Sequence, residues 1–425
     1  MSLSSAFATF GRSILRKGAW HWVRFVILLV VAYFAGHALK KLPQLTDFRY
    51  WIYRHQIQMQ HGAPDYPRRT AVVTIEDNDY WGPEFAGRSP VRRDLVAKIL
   101  DKLRLAGVNT VVLDFDLRSP DPTLKNLDFE VYKHEDDLLT DAIKAMCTAG
   151  QSLVIGASVR GKTSPYTKMP SIYSQKVAED PKAYSCMHEG HIQLPFDLRL
   201  VAGQIAIANS QPLDSLALAA VKIADPIAYN AAIANPERGF RYGRYLSESE
   251  YSSHGDTRFR YSWSDLQGAK SEDLRKELAD KVVLIGGAWH TYAKNQGQET
   301  DQYNSPMGPM AGVFIHANYI EALDGERGTF APVSDLSVEI LELTLAIALA
   351  LIGALEIHAA WKWGAFAASC AISFVLTYVL LENLGIFLDF LVPLFILIGH
   401  TLFEEFWAMR HELHHLKHHK AEGHL

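Results

Sequence analysis

The stretch from Arg93 to Asp121, RDLVAKILDKLRLAGVNTVVLDFDLRSPD, constrains the fold more than any other part of the chain. Leu95, Ile99 and Leu103 recur at helical spacing, with Lys98, Asp101 and Lys102 on the opposite side. Gly107 follows where a helix C-terminal cap belongs. An unbroken apolar burst, Val111, Val112 and Leu113, then runs into Asp114, Phe115 and Asp116. An earlier burst, Ala71 to Ile75, ends the same way in Glu76 and Asp77. Strand, helix and strand in that order make a βαβ unit with parallel strands and a right-handed crossover. Carboxylates directly after both strands fall on the edge where open α/β sheets bind ligands. This points to a sensing or binding domain more than to an enzyme.

The average composition conceals where the apolar residues lie. At 48% hydrophobic and 21% charged, the 425-residue chain looks like an ordinary globular protein, yet long apolar runs occupy both ends. Its net charge of -5 gives no reason to expect nucleic-acid binding, which calls for a basic surface. Residues 1–19 carry Arg12, Arg16 and Lys17 and no acid, and read as a cytoplasmic N-terminus. Residues 20–41 read as a first transmembrane helix, near the ~20 residues that span a bilayer, with Trp20 and Trp22 suited to the interface. A cleaved signal peptide is the competing reading, but Leu39-Lys40-Lys41 continues poorly from a cleavage site.

Residues 333–403 hold three further spans, Leu336 to Ile357, Gly364 to Leu381 and Ile386 to Leu402. Arg12, Arg16, Lys17, Lys362, Arg410, Lys417 and Lys420 held inside place both termini in the cytoplasm and residues 42–332 outside it. Lys40 and Lys41 lie on the other side. Glu339, Glu342 and Asp389 fall near span ends, where interface positions account for them.

Between the apolar ends, Asp47 to Gln60 reads as an amphipathic helix leading out of the membrane. Asp136 to Cys147 reads as a helix and Ser152 to Ile155 as a strand closing on Gly156. From Arg160 to Arg199 the pattern supports no assignment. Gly203 to Ala208 reads as a strand, Ser215 to Ala224 as a helix, and Asn230 to Ser264 as loops or an irregular sheet edge. A helix around Leu274 and Leu278 precedes a buried strand, Val282 to Ile285, that runs into Gly286-Gly287. A long polar loop then holds Asp301 and Ser305-Pro306, and Gly312 opens a helix through Leu323. The expected fold is thus an α/β domain with a mainly parallel central sheet, plus an α-helical membrane region of one N-terminal and three C-terminal transmembrane helices. Cys147 and Cys186 leave two readings open, one bridge in an oxidising compartment or two free thiols, while Cys370 lies in an apolar run.

Several of these segments resemble a known family. The strand with its acidic end, AVVTIEDNDYWG, and the unit RRDLVAKILDKLRLAGVNTVVLDFDL are similar to the opening of the type-2 CHASE domain, a bacterial extracytoplasmic sensory domain. LADKVVLIGGAWH and the run from Asp301 to Ala317, with Pro306, Gly312 and His316, are similar to its closing segment. The resemblance covers about residues 43 to 330. The chain departs from the family pattern at GQIAIANSQPLDSLALAA, which keeps the Ser-Leu-Ala-Leu-Ala helix without an acidic glycine turn. The resemblance implies a sensor in the bacterial inner membrane, with one anchor, an outside domain and about three further spans. Family members usually add a cytoplasmic output module, and the residues after Phe403 are too few for one. The expected partners are therefore the lipid bilayer, an unidentified extracytoplasmic ligand, a separate membrane or cytoplasmic effector and other copies of the chain.

The candidate ligand-binding residues are Glu76, Asp77, Asp114 and Asp116, whose carboxylates suit a cation or a cationic or polyhydroxylated ligand. Asp301 and His316 would complete the rim from the far end of the domain. The structural alternative is that the acids cap loops and helices and that His316 packs as a polar residue without a ligand. Gly286-Gly287 lacks the Lys-Ser or Lys-Thr of a phosphate loop and reads as a close-packed turn. Residues 42–332 hold no Gly-x-Ser-x-Gly elbow and no His-Glu-x-x-His motif, so no catalytic residue and no enzymatic activity are expected, and the sequence names no cofactor. In the His-rich tail, residues 404–425, His411, His414, His415 and His418 share one helix face. That spacing suits Zn²⁺, Ni²⁺ or Cu²⁺, or a pH-sensitive contact; a solvated, weakly basic helix is the alternative. Beside the sensor stand two other readings, a structural or scaffold subunit of a membrane complex and a metal-handling accessory protein.

Overall fold

A computed structural model describes residues 43–60, 68–118, 128–161, 164–195, 201–234, 239–240, 245–252, 258–290, 302–323, 329–330 and 359–384, with isolated positions in the apolar ends. The chain divides into two compact units, residues 57–332 and residues 1–56 with 333–425. Helix α1 (Pro43–Gln60) runs across the first boundary and starts four residues before the expected Asp47.

In the unit 57–332, the main elements follow in chain order. They are β1 (Thr70–Ile75), α2 (Asp77–Tyr80), α3 (Arg93–Leu105), β2 (Thr110–Asp114), α4 (Phe129–Thr148), β3 (Ser152–Ala157), α5 (Ile172–Glu179) and β4 (Met187–His191). After these come α6 (Leu216–Ala224), α7 (Pro226–Ala234), β5 (Arg260–Ser262), α8 (Trp263–Gly268), α9 (Ser271–Leu278) and β6 (Val282–Gly287). The hairpin β7 (Gln302–Ser305) and β8 (Gly308–Ala311) leads into α10 (Gly312–Leu323).

Six strands form one sheet in the order β4–β3–β2–β6–β1–β5, and every neighbouring pair is parallel. Parallel strands covered on both faces read as near-continuous apolar runs, which is why β1, β2, β3 and β6 stood out. The two strands of the organising βαβ unit are not neighbours, because β6 inserts between them. Helix α3 packs as its spacing requires, with Leu95, Ile99 and Leu103 buried. Gly107 has a φ of 78°, and the Gly107 and Val108 amides donate to the Arg104 and Leu103 carbonyls at 3.0 and 3.1 Å. That paired arrangement closes the helix and needs a residue free to adopt positive φ.

The core on one face of the sheet joins α3, α4, α8 and α9 to Ala71, Val73, Val111, Leu113, Leu153, Ile155, Val283 and Ile285. The alternate residues, among them Val72, Val112, Val154 and Leu284, point to the other face, covered by α6 and α10. Two glycines set how close those helices come. A Cβ at Gly286 would lie 2.6 Å from Val313 Cβ on α10, and one at Gly190 would lie 2.6 Å from Leu216 Cα on α6.

Three assignments need correction. Gly203 to Ala208 is not a strand; it makes only single bridges, Ile205 with Leu213 and Ile207 with Tyr166. The strand in that part of the chain is β4, MHEGH, within the stretch where no pattern was legible. As an edge strand half covered by α6 it needs no apolar run, so periodicity did not reveal it. Ser305-Pro306 belongs to no long loop but to the tight end of the β7–β8 hairpin. Helix α4 also begins earlier than Asp136, at Phe129, because the Asp128 side chain accepts from the Glu130 and Val131 amides.

Cys147, at the end of α4, and Cys186, just before β4, form a disulfide with a Cα separation of 5.0 Å. Closing 39 residues in this way is worth roughly 4 kcal/mol in the chain-entropy picture. In the other unit, Gly364 to Leu381, the second of the three expected C-terminal spans, lies within a helix, α11 (Ala359–Leu384). Counted over residues whose side chains are described, no helix is long and apolar enough to cross a membrane. The other expected spans, the N-terminus and the His-rich tail lie almost wholly outside the described residues.

Candidate functional site at the carboxyl edge of the sheet

The carboxylates that follow the parallel strands do not converge on an open rim. Glu76 Oε1 accepts from Thr74 Oγ1 at 2.9 Å and from Arg260 Nε at 3.1 Å, joining β1 to its neighbour β5. Asp77 holds the loop after β6: it accepts from the His290 amide at 2.6 Å and lies 2.9 Å from His290 Nδ1. Next to it Trp81 Nε1 donates to the His290 carbonyl at 3.0 Å, and the Tyr80 and Trp289 rings stack at 4.1 Å. Asp116 folds back on Arg118, accepting from its Nε at 2.6 and 2.9 Å. Asp301 lies outside the described residues, as do His411, His414, His415 and His418. Among the described residues no group of His, Cys, Asp or Glu is placed to hold a metal ion.

The structure brings together two of the expected residues, Asp114 at the end of β2 and His316 on α10. Their side chains face each other with Asp114 Oδ1 3.7 Å from His316 Nε2, and they are only 7% and 2% exposed. Gly286 of the intervening strand pairs with Asp114 and lies under Val313 of α10, which lets the helix settle over the carboxyl. Burial drives both groups toward their neutral forms: the Asp114 carboxyl is pushed up to about 7 and the His316 imidazole down to about 4, the latter opposed by the Ile192 backbone. Between about pH 4 and 7 the pair is mainly a carboxylic acid beside a neutral imidazole, not an ion pair. A separation of 3.7 Å is too long for the hydrogen bond that would offset two buried charges.

His191, which closes β4, belongs to the same cluster and was not legible as a site residue. Its Nε2 lies 2.9 Å from the Gly203 carbonyl. Burial, helped by His316, lowers its imidazole to about 4 against the raising effects of the Gly203 and Gln193 backbone and of Asp214. Nδ1 of both His191 and His316 is buried with no hydrogen-bond partner among the described residues. The one available signal was a histidine directly after Gly190, where a bare backbone admits a covering helix.

On the opposite face, Arg93 is a buried cation that periodicity also missed, because it occupies the first residue of α3. Its guanidinium pairs with Asp136, donates to the Arg118 carbonyl at 2.6 Å and lies 4.4 Å above the Tyr132 ring. Tyr173 donates to Asp136 at 2.9 Å, and the Arg93 amide donates to Glu135 at 3.2 Å.

A third missed residue works at the amino edge. Glu321, buried near the end of α10, accepts from the amides of Arg69 and Thr70 at 2.9 and 2.7 Å and from Thr70 Oγ1 at 2.6 Å. An acid inside the apolar helix GVFIHANYIEAL was the visible hint.

Comparison with known proteins places this geometry in a family. No curated protein and no solved structure matches the chain. The model of the CHASE2 domain matches residues 25–355, most of its length, and the chain belongs to the CHASE2 domain family.

Proposed function

We propose that the protein is the sensing subunit of a bacterial inner-membrane receptor, with residues 42–332 outside the cytoplasm and both termini inside. CHASE2 domains are extracytoplasmic, and the Cys147–Cys186 disulfide fits an oxidising compartment. In this reading the apolar segments at residues 20–41 and 333–403 anchor the domain, and copies of the chain associate so that one can act on another. The output passes through the membrane helices to a separate effector.

The observation that carries the reading is the Glu321 contact with Arg69 and Thr70. Helix α10 is the last long helix before the downstream apolar segments, and β1 follows directly on the chain that arrives from α1. One buried carboxyl therefore ties the incoming and outgoing ends of the domain together. A shift of α10 on the sheet moves those ends relative to each other, and a two-state element of that kind is what a signal can bias.

Proximity labelling from the C-terminus, in cells with and without residues 404–425, tests the proposal. A kinase, cyclase or other effector recovered only when the tail is present is the expected result. Recovery of envelope proteins and of the chain itself alone would favour a scaffold subunit.

A further inference from the structure

We propose that the domain senses acid, through the buried group of Asp114, His316 and His191 under helices α6 and α10. The inference rests on the receptor reading and names its signal as the proton.

The geometry sets up the sensitivity. His191 and His316 are 2% and 1% exposed, and Nδ1 of each has no well-formed hydrogen bond, so the Gln193 and Ile192 backbone offsets the burial of an imidazolium only in part. Gly190 and Gly286 press α6 and α10 onto the strands at 2.6 Å from a virtual Cβ, which leaves no room to solvate a new charge. The titratable and charged surroundings are sparse. Strands β1, β3 and β6 contribute no titratable side chain to the cluster. Helix α6 and the loop before it bring Lys222 and Asp214, which lie 3.9 Å from each other. Asp214 also takes the Gln204 amide at 2.7 Å and the α7 residue Tyr229 at 3.2 Å. Tyr319 meets the His316 ring edge-on at 6.0 Å, and Tyr245 and Tyr319 are both held in the neutral form by burial. On β4 itself, His188 is lowered by burial and Lys222, and Glu189 pairs with Lys168. Among the described residues Asp114 is the one carboxyl paired with His316, and below about pH 7 it carries its own proton.

The proton count gives the sign. Closed, the three groups hold one proton, on Asp114, from about pH 4 to near 7. Opened to water, Asp114 releases its proton and both imidazoles take one up below their ordinary value near 6.5, so the same three groups hold two. Each unit of acidification within that window therefore favours the open form by about tenfold. Asp114 buffers the response, since without its stored proton the opening would take up two.

Hydrogen exchange on the full-length protein in lipid nanodiscs, corrected for intrinsic rates, reads the opening of residues 312–323 and 216–224 from about pH 7 to about pH 4.5. Protection in the wild type is expected to fall by roughly tenfold per pH unit below about 6.5. Asp114→Asn steepens the slope toward about a hundredfold per unit, and His191→Gln flattens it. A purely structural role would not move the two variants in opposite directions. A flat wild-type profile overturns the inference whether or not either variant folds. If tail-dependent effector capture persists beside a flat profile, the proton inference fails alone; loss of capture as well takes the receptor reading with it.

Discussion

Two buried ionisable pairs, one on each face of the same sheet, solve the same problem in opposite ways. Arg93 and Asp136 are matched: the guanidinium also has the Arg118 carbonyl and two tyrosine faces, and the carboxylate also has the Tyr173 hydroxyl. Burial alone would lower Arg93, but Tyr173, Tyr132 and Asp136 outweigh it and hold the cation charged. Asp114 and His316 lie 3.7 Å apart with no hydrogen bond between them, His316 Nδ1 has no partner among the described residues, and burial drives both toward their neutral forms. Equal burial thus gives a permanent charge where hydrogen bonds are supplied and a titrating group where they are withheld. The first design locks α3 to α4. The second leaves α10 responsive.

The largest expected break in this comparison is Arg93→Met, which strands Asp136 in the core. It should cost about 3–5 kcal/mol in chemical denaturation, whereas Asp114→Asn at neutral pH removes the work of burying an acid and should leave stability unchanged or raise it. Equal losses would mean that the two pairs do not differ in kind. Reduction of the Cys147–Cys186 bridge comes next, at about 2–4 kcal/mol, read as a fall in denaturation midpoint with added thiol. It loosens the junction of α4 and β4 on the Arg93 side and should leave the slope of stability against pH untouched.

The smallest effect per unit is the sharpest test. In the double variant His191→Gln, His316→Gln only Asp114 titrates in the cluster, with its carboxyl raised from 3.8 to about 7. A raised carboxyl binds its proton more tightly in the closed form, so its stabilising contribution is complete below about 4 and is lost as pH rises toward 7. Stability should then decrease with pH by about 1.4 kcal/mol per unit across that window, the reverse of the wild type. A slope of unchanged sign would show that the histidines do not govern the acid response.

Much of the fold was legible because buried parallel strands and amphipathic helices write their burial into local pattern. Val111 to Leu113, Val282 to Ile285 and the Leu95, Ile99, Leu103 stripe needed only neighbours in sequence to be recognised. The edge strands β4 and β5 were not legible, since a half-covered strand such as MHEGH carries no apolar run. Asp114 and His316 were both chosen from sequence, but as members of an open rim. Glu76, Asp77 and Asp116, expected on the same ground, hold Arg260, His290 and Arg118.

By itself the sequence determined the α/β class, the parallel strands with their acidic ends and the family. These follow from hydrophobic periodicity and residue motifs, which are properties of short stretches. Only the tertiary structure decided that β6 separates β1 from β2, that Cys147 meets Cys186, and that Asp114 meets His316, with His191 buried nearby. Those outcomes depend on strand order and on how closely glycine lets α6 and α10 approach the sheet. Burial and distance, which set the charge state of each side chain, exist only once the distant segments have packed.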